Sequence, residues 1–155
     1  MQNKLRTLDQ KRSDFALKKV MEMNWKQSSN DDEKNEIKAL TSSIPSMIKQ
    51  MGIGLTMAFL LSKAGASVKE SDSGNNKNKY RIVVNIIKEW LGYKSGDIDN
   101  SYLPGLNSNL NDEDFIKKLN DVDQFQYMTI QNEAIAIMEW VKKYTVAGFH
   151  LQKKE

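Results

Sequence analysis

The side chains able to do chemistry are few. The 155-residue chain has no cysteine and one histidine, which removes thiol nucleophiles, disulfides and Cys-based zinc sites and leaves little for imidazole catalysis. His150 stands beside Lys153 and Lys154 with no metal-spaced carboxylate nearby. Glu133 and Glu139 are six residues apart, on different sides of a helix, so they do not form a carboxylate dyad; Glu139 is set for an i,i+4 pair with Lys143. Asp112-Glu113-Asp114 lacks the Asp-x-Asp-x-Asp-Gly pattern of a calcium loop and reads as a helix start. Gly52-Ile53-Gly54 has no preceding strand and no following Gly-Lys-Ser/Thr, which makes it a helix corner and not a phosphate loop. No catalytic residue, metal-ligand set or cofactor site is expected.

What remains is electrostatic. The net charge is only +3, but it is unevenly spread. Residues 1–27 carry +4, residues 67–95 carry +3 and residues 96–124 carry −5. In the first segment Lys4, Lys11 and Lys18 repeat every seven residues, as do Arg12, Lys19 and Lys26. Seven residues are about two helical turns, so each trio makes a ladder about 20 Å long. Such a ladder could follow a phosphate backbone without reading bases. A solvated helix face partly neutralised by Asp9 and Asp14 accounts for the same spacing. Arg12 lies within the apolar arc three residues after Asp9, which also fits a local pair supporting the fold.

The elements that must position these groups are all helical. At about 100° per residue, Leu5, Leu8, Phe15, Ala16, Val20 and Met23 share one arc of a helix over 4–27. Asp31-Asp32-Glu33 opens a second helix with Ile37, Leu40 and Ile44, which Pro45 should end or restart. Met47, Ile48 and Met51 follow on a short helix, and Leu55 to Ala64 is a mostly apolar helix ending at Gly65. A fourth main helix covers Tyr80 to Tyr93, a short one begins at Asn111 or Asp112, and Asp123 with Gln126 caps the last long helix. Residues 66–78 and 94–111 read as mobile loops. No alternating strand pattern is visible, so the expected fold is an all-α, single-domain bundle of five to six helices over residues 1–155. Trp25, Trp90 and Trp140 end or interrupt amphipathic helices, where burial or helix contact outweighs base stacking. The eight methionines are expected mainly as core filling.

The N-terminus has no apolar signal region, and Ile53 to Leu61 falls short of the roughly 20 residues that cross a bilayer. A soluble, cytoplasmic protein with no membrane partner is expected.

Three blocks carry a family likeness. They are Thr7-Leu8-Asp9-Gln10-Lys11-Arg12, the stretch from Ile44-Pro45 through Gly52-Ile53-Gly54-Leu55-Thr56-Met57-Ala58-Phe59-Leu60-Leu61 to Ala64, and Tyr127 to Tyr144 with Glu133-Ala134 and Trp140-Val141-Lys142-Lys143. Together they resemble the small α-helical subunit of type III-B CRISPR effectors, the fifth subunit of the Cmr (RAMP module) complex. The resemblance implies a non-enzymatic subunit in antiviral defence, stacked in several copies along guide RNA paired with target RNA. Its partners would be the repeated RAMP backbone subunit, the large polymerase/cyclase-type subunit and copies of itself. It also implies phosphate contacts at Lys11, Arg12, Lys63, Lys142 and Lys143; Lys18 is added from the ladder alone. A second glycine in Gly52-Ile53-Gly54 departs from the family pattern and is expected to loosen that corner. The competing readings are the type III-A small subunit, or a helical adaptor without RNA contact. A helix-turn-helix reader of DNA is disfavoured because the helix after the glycines is apolar.

Overall fold

The computed structural model describes residues 6–23, 31–65, 78–92, 94–95, 98–99 and 111–151. Among these, five helices make the bundle: α1 (Leu8–Met23), α2 (Asp31–Ala64), α3 (Lys79–Leu91), α4 (Asp112–Asp121) and α5 (Gln124–Val146). A two-residue antiparallel ladder, β1 (Lys94–Ser95) with β2 (Ile98–Asp99), lies between α3 and α4. The all-α expectation holds. The ladder falls within the stretch expected as a loop; residues 66–77 and 100–110, with Lys4, Trp25 and Lys26, lie outside the described residues.

The helical stripes pack as their spacing requires. Phe15, Ala16, Val20 and Met23 of α1 are buried, as are Val83, Ile87, Trp90 and Leu91 of α3 and Ile130, Ala134, Ile137, Met138 and Val141 of α5. Each fully buried aliphatic side chain contributes about 1.5–3 kcal/mol before entropy. Among the described residues of the expected α1 arc Leu8 stays exposed, and Leu5 lies outside the described residues. Side-chain caps fix the helix starts. Asn78 accepts from the Tyr80 and Arg81 amides, Asn111 from Asp114 and Asp123 from Gln126. Gly65, at φ 81°, ends α2, with its amide donating to the Leu61 carbonyl at 2.8 Å.

α2 corrects the expectation at Pro45. The helix runs through the proline instead of stopping there, and Pro45 is buried between Ile44 and Ile48, both fully inaccessible. Packing of that stripe outweighs the roughly 3 kcal/mol an interior proline costs. The resulting helix is long and apolar enough to cross a bilayer by length and composition. Here Ile37, Leu40, Ile44, Ile48, Ile53, Met57 and Leu60 form part of the bundle core with residues of α3 and α5.

The break comes at Gly52, where φ is 84° and ψ 162°. A residue with a side chain is strained at such a φ. Breaking the helix leaves amides at the new start without helical partners. Two α5 side chains supply them: the Ile53 amide donates to Gln131 Oε1 at 3.0 Å and the Gly54 amide to Tyr127 Oη at 2.8 Å. Thr56 Oγ1 donates to the Gly52 carbonyl at 2.7 Å. A Cβ on Gly54 would stand 2.8 Å from Tyr127 Oη. The corner is therefore tied, not loosened, because the absent side chain is what admits Tyr127. Further along the same seam, Thr41 and Thr145 share a buried hydroxyl contact at 2.8 Å. The order of pairs, 41 with 145, 53 with 131 and 54 with 127, makes α2 and α5 antiparallel.

Candidate nucleic-acid interface

Arg12 points into the bundle. Its Nε and Nη2 donate to Glu133 Oε1 and Oε2 at 2.6 and 2.7 Å, and Nη1 donates to Asp9 Oδ1 at 3.0 Å. Glu133 is buried at 6% exposure, and the Trp90 indole N–H donates to its Oε1 at 2.9 Å. A buried carboxylate needs this density of donors, since removing it from water unpaired costs several kcal/mol. The bidentate fork is the geometry that guanidinium offers and an ammonium does not. Trp140 adds a second tie, its indole N–H donating to Asp9 Oδ1 at 3.3 Å, and Ser13 bonds Tyr144 through their hydroxyls. Hydrogen bonds from Arg12 and then Trp140 hold the Asp9 carboxyl below its usual pKa. The candidate phosphate contact Arg12 thus joins α1, α3 and α5, and the sequence-level alternative, a local pair with Asp9, is present and extended to a buried glutamate.

The basic region of α3 is also committed. Lys79 pairs with Glu36 at 3.3 Å. Arg81 and Lys88 converge on Asp112, at 2.9 and 3.1 Å, where α4 begins. Two basic residues of the 67–95 segment are therefore neutralised by one acidic residue of the 96–124 segment, while Glu113, Asp121 and Asp123 of the latter stay exposed. Lys19 on α1 bonds Glu89 and Glu22. Burial lowers its pKa, but those two carboxylates outweigh burial and leave it raised.

The other candidates remain at the surface. Lys11 is half-exposed on α1, and Lys18 is exposed and paired with Asp14 at 3.4 Å. At about 100° per residue both fall roughly opposite Asp9 and Ser13, the residues that meet α5. Lys63 is exposed in the last turn of α2; Lys142 is half-buried and Lys143 exposed in the last turns of α5. Among the described residues, Lys11, Lys63, Lys142 and Lys143 have no ion pair. Glu139, expected beside Lys143, instead lies 3.6 Å from Lys49. The six candidates divide into one internal residue and five surface lysines on three helices, with no single patch uniting them.

Trp90 is buried and Trp140 is half-buried at the α1–α5 contact. Met23, Met57 and Met138 fill the core, whereas Met21, Met51 and Met128 are exposed. Among the described residues no three His, Cys, Asp or Glu side chains gather to hold a metal. The residues that sequence reasoning missed are Glu133, Gln131 and Tyr127. Tyr127 carried a signal as a member of the inward stripe of α5 with Ile130 and Ala134, and Glu133 as a charged residue between its apolar positions.

The described residues make an all-helical bundle with lysines exposed on α1, α2 and α5. A family model described as CRISPR-associated protein (Cas_Cmr5) matches residues 8–148. The chain belongs to this CRISPR-associated Cmr5 family, the small helical subunit of type III-B complexes. Its fold is similar to the crystal structure of a CRISPR-associated Cmr5 family protein from Thermus thermophilus, with a TM-score of 0.59 at 20% identity over 92% of this chain and 97% of that one.

Proposed function

We propose that this chain is a non-catalytic, cytoplasmic subunit of a type III-B effector in antiviral defence. Several copies lie along the guide RNA–target RNA duplex and touch phosphates through surface lysines. The family match over residues 8–148 carries this reading. The partners are the RAMP backbone subunit, the large polymerase/cyclase-type subunit, further copies of the chain and the two RNAs. Lys11, Lys18, Lys63, Lys142 and Lys143 are the phosphate contacts; Arg12 is assigned to the fold because its guanidinium is bonded to Glu133 and Asp9. Ammonium groups neutralise phosphates and release counterions without reading base identity. In reconstituted complex, crosslinking to target RNA is expected to give adducts at these lysines, on different target sequences alike. Incorporation without any adduct on this chain would overturn the RNA contact and favour the adaptor reading, which the internally paired Arg81, Lys88 and Lys79 also support.

A further inference from the structure

One side of α1 borders α5 without being basic. Asp9, Gln10, Ser13, Asp14 and Leu17, with Trp140 of α5, wall an open groove of about 360 Å³. Its aromatic wall is held in place. The Trp140 indole N–H donates to Asp9 Oδ1, and the ring packs on Tyr144 at a centroid distance of 5.8 Å. The Tyr144 hydroxyl in turn bonds Ser13. The α1 wall is acidic, with the Asp9 and Asp14 side chains 67% and 43% exposed. Among the described residues, Arg12 and Trp140 both bond Asp9 at Oδ1, and Arg6 and Lys18 both pair with Asp14 at Oδ2. Each carboxylate therefore keeps one oxygen for a further donor. Arg6 already displays a guanidinium against this wall, its Nη1 lying 3.5 Å from Asp14 Oδ2. A pair this long and this exposed contributes little and exchanges readily.

We propose that the groove docks an arginine side chain from a basic segment of a partner protein, its guanidinium taking the place of Arg6 at Asp14 and its stem lying over Trp140 and Leu17. A planar, weakly hydrated guanidinium suits an indole face and a carboxylate together, whereas a compact ammonium gives up more hydration there. Two exposed carboxylates repel phosphate, so the same groove turns an RNA backbone away. At about 100° per residue, Lys11 and Lys18 lie beyond the Asp14 edge of the groove. α1 thus divides lengthwise into an acidic side for protein and a lysine side. The docking does not depend on the RNA contact proposed above.

The test is a nuclear magnetic resonance titration of the isotope-labelled full chain, following the Trp140 indole N–H, which Trp140→Phe assigns. The probes are the blocked pentapeptide Gly-Gly-Arg-Gly-Gly, its lysine and citrulline counterparts, and a short oligouridylate. The arginine peptide is expected to shift the resonance, the lysine peptide to bind at least threefold more weakly, and citrulline and oligouridylate to leave it unmoved. Asp14→Asn should weaken the arginine peptide about fivefold, with the urea midpoint showing that the fold is kept. Arg6→Ala, which removes the internal competitor, should tighten it. Equal response to arginine and lysine, or to parent and Asp14→Asn, would overturn the inference. So would a Trp140 shift that follows oligouridylate, or dilution of the chain alone, in place of the arginine peptide; the occupant would then be RNA or a second copy.

Discussion

The two seams that hold α5 are built from different chemistry. Against α2 the inner contacts are uncharged, with Gln131 and Tyr127 capping a broken helix and Thr145 bonding Thr41, and the Lys49–Glu139 ion pair stays at the exposed edge. Against α1 and α3 the seam is ionic, with Glu133 taking a bidentate Arg12 and the Trp90 indole. The neutral seam depends on close approach, and glycine makes that approach possible. The ionic seam depends on complete pairing, and it consumes a guanidinium that counts toward the basic charge of the first helix. Basic charge in this chain thus serves two purposes, and only position in the fold separates them.

Breaking the ionic seam is expected to have the largest effect. Arg12→Ala leaves the Glu133 carboxylate buried with only the Trp90 donor and should lower stability by about 3 kcal/mol, read by urea denaturation. Replacing Arg12 and Glu133 together with apolar residues of similar size should recover most of that loss. An Arg12→Ala loss below about 0.5 kcal/mol would mean the pair is decorative.

The neutral seam should respond to volume. Gly54→Ala pushes a methyl against Tyr127 Oη and is expected to cost about 2 kcal/mol. Tyr127→Phe removes the opposing oxygen, so the double variant should lose less than the sum of the singles in a double-mutant cycle. Strict additivity would show that the two groups do not meet.

The smallest effect is a pH dependence confined to the ionic seam. Asp9 has a lowered folded pKa, so its contribution is complete above the usual carboxylate pKa, about 3.9, and disappears as pH falls through the lowered value. Melting temperature should drop more steeply below about pH 4 in the parent chain than in Asp9→Asn. Parallel profiles would remove Asp9 from the seam.

Much of the architecture was legible in the sequence. Apolar spacing located the helices, Asn111, Asp123 and Gly65 marked their ends, and Gly52-Ile53-Gly54 marked the corner. Pro45 misled because buried neighbours on both sides hold the helix through it, an effect that propensity does not contain. Segment charges do not contain the pairing of Arg81 and Lys88 with Asp112, a partner 24 to 31 residues away. Arg12 and Lys11 are adjacent in sequence and similar in type, yet one turns to Glu133 across 121 residues while the other stays at the surface. Helical spacing placed Arg12 in the core arc, but the acidic partner on α5 came only with the tertiary fold.

The central claim is that surface lysines, and not the internal arginine, meet phosphate without regard to sequence. Its most direct test is the salt dependence of RNA affinity for the parent chain and for Lys11→Ala and Lys63→Ala. Binding should weaken steeply with salt on unrelated sequences, and each substitution should reduce the slope of log affinity against log salt by about 0.7–0.9. Tight, salt-insensitive binding to one sequence, or slopes unchanged by both substitutions, would contradict it.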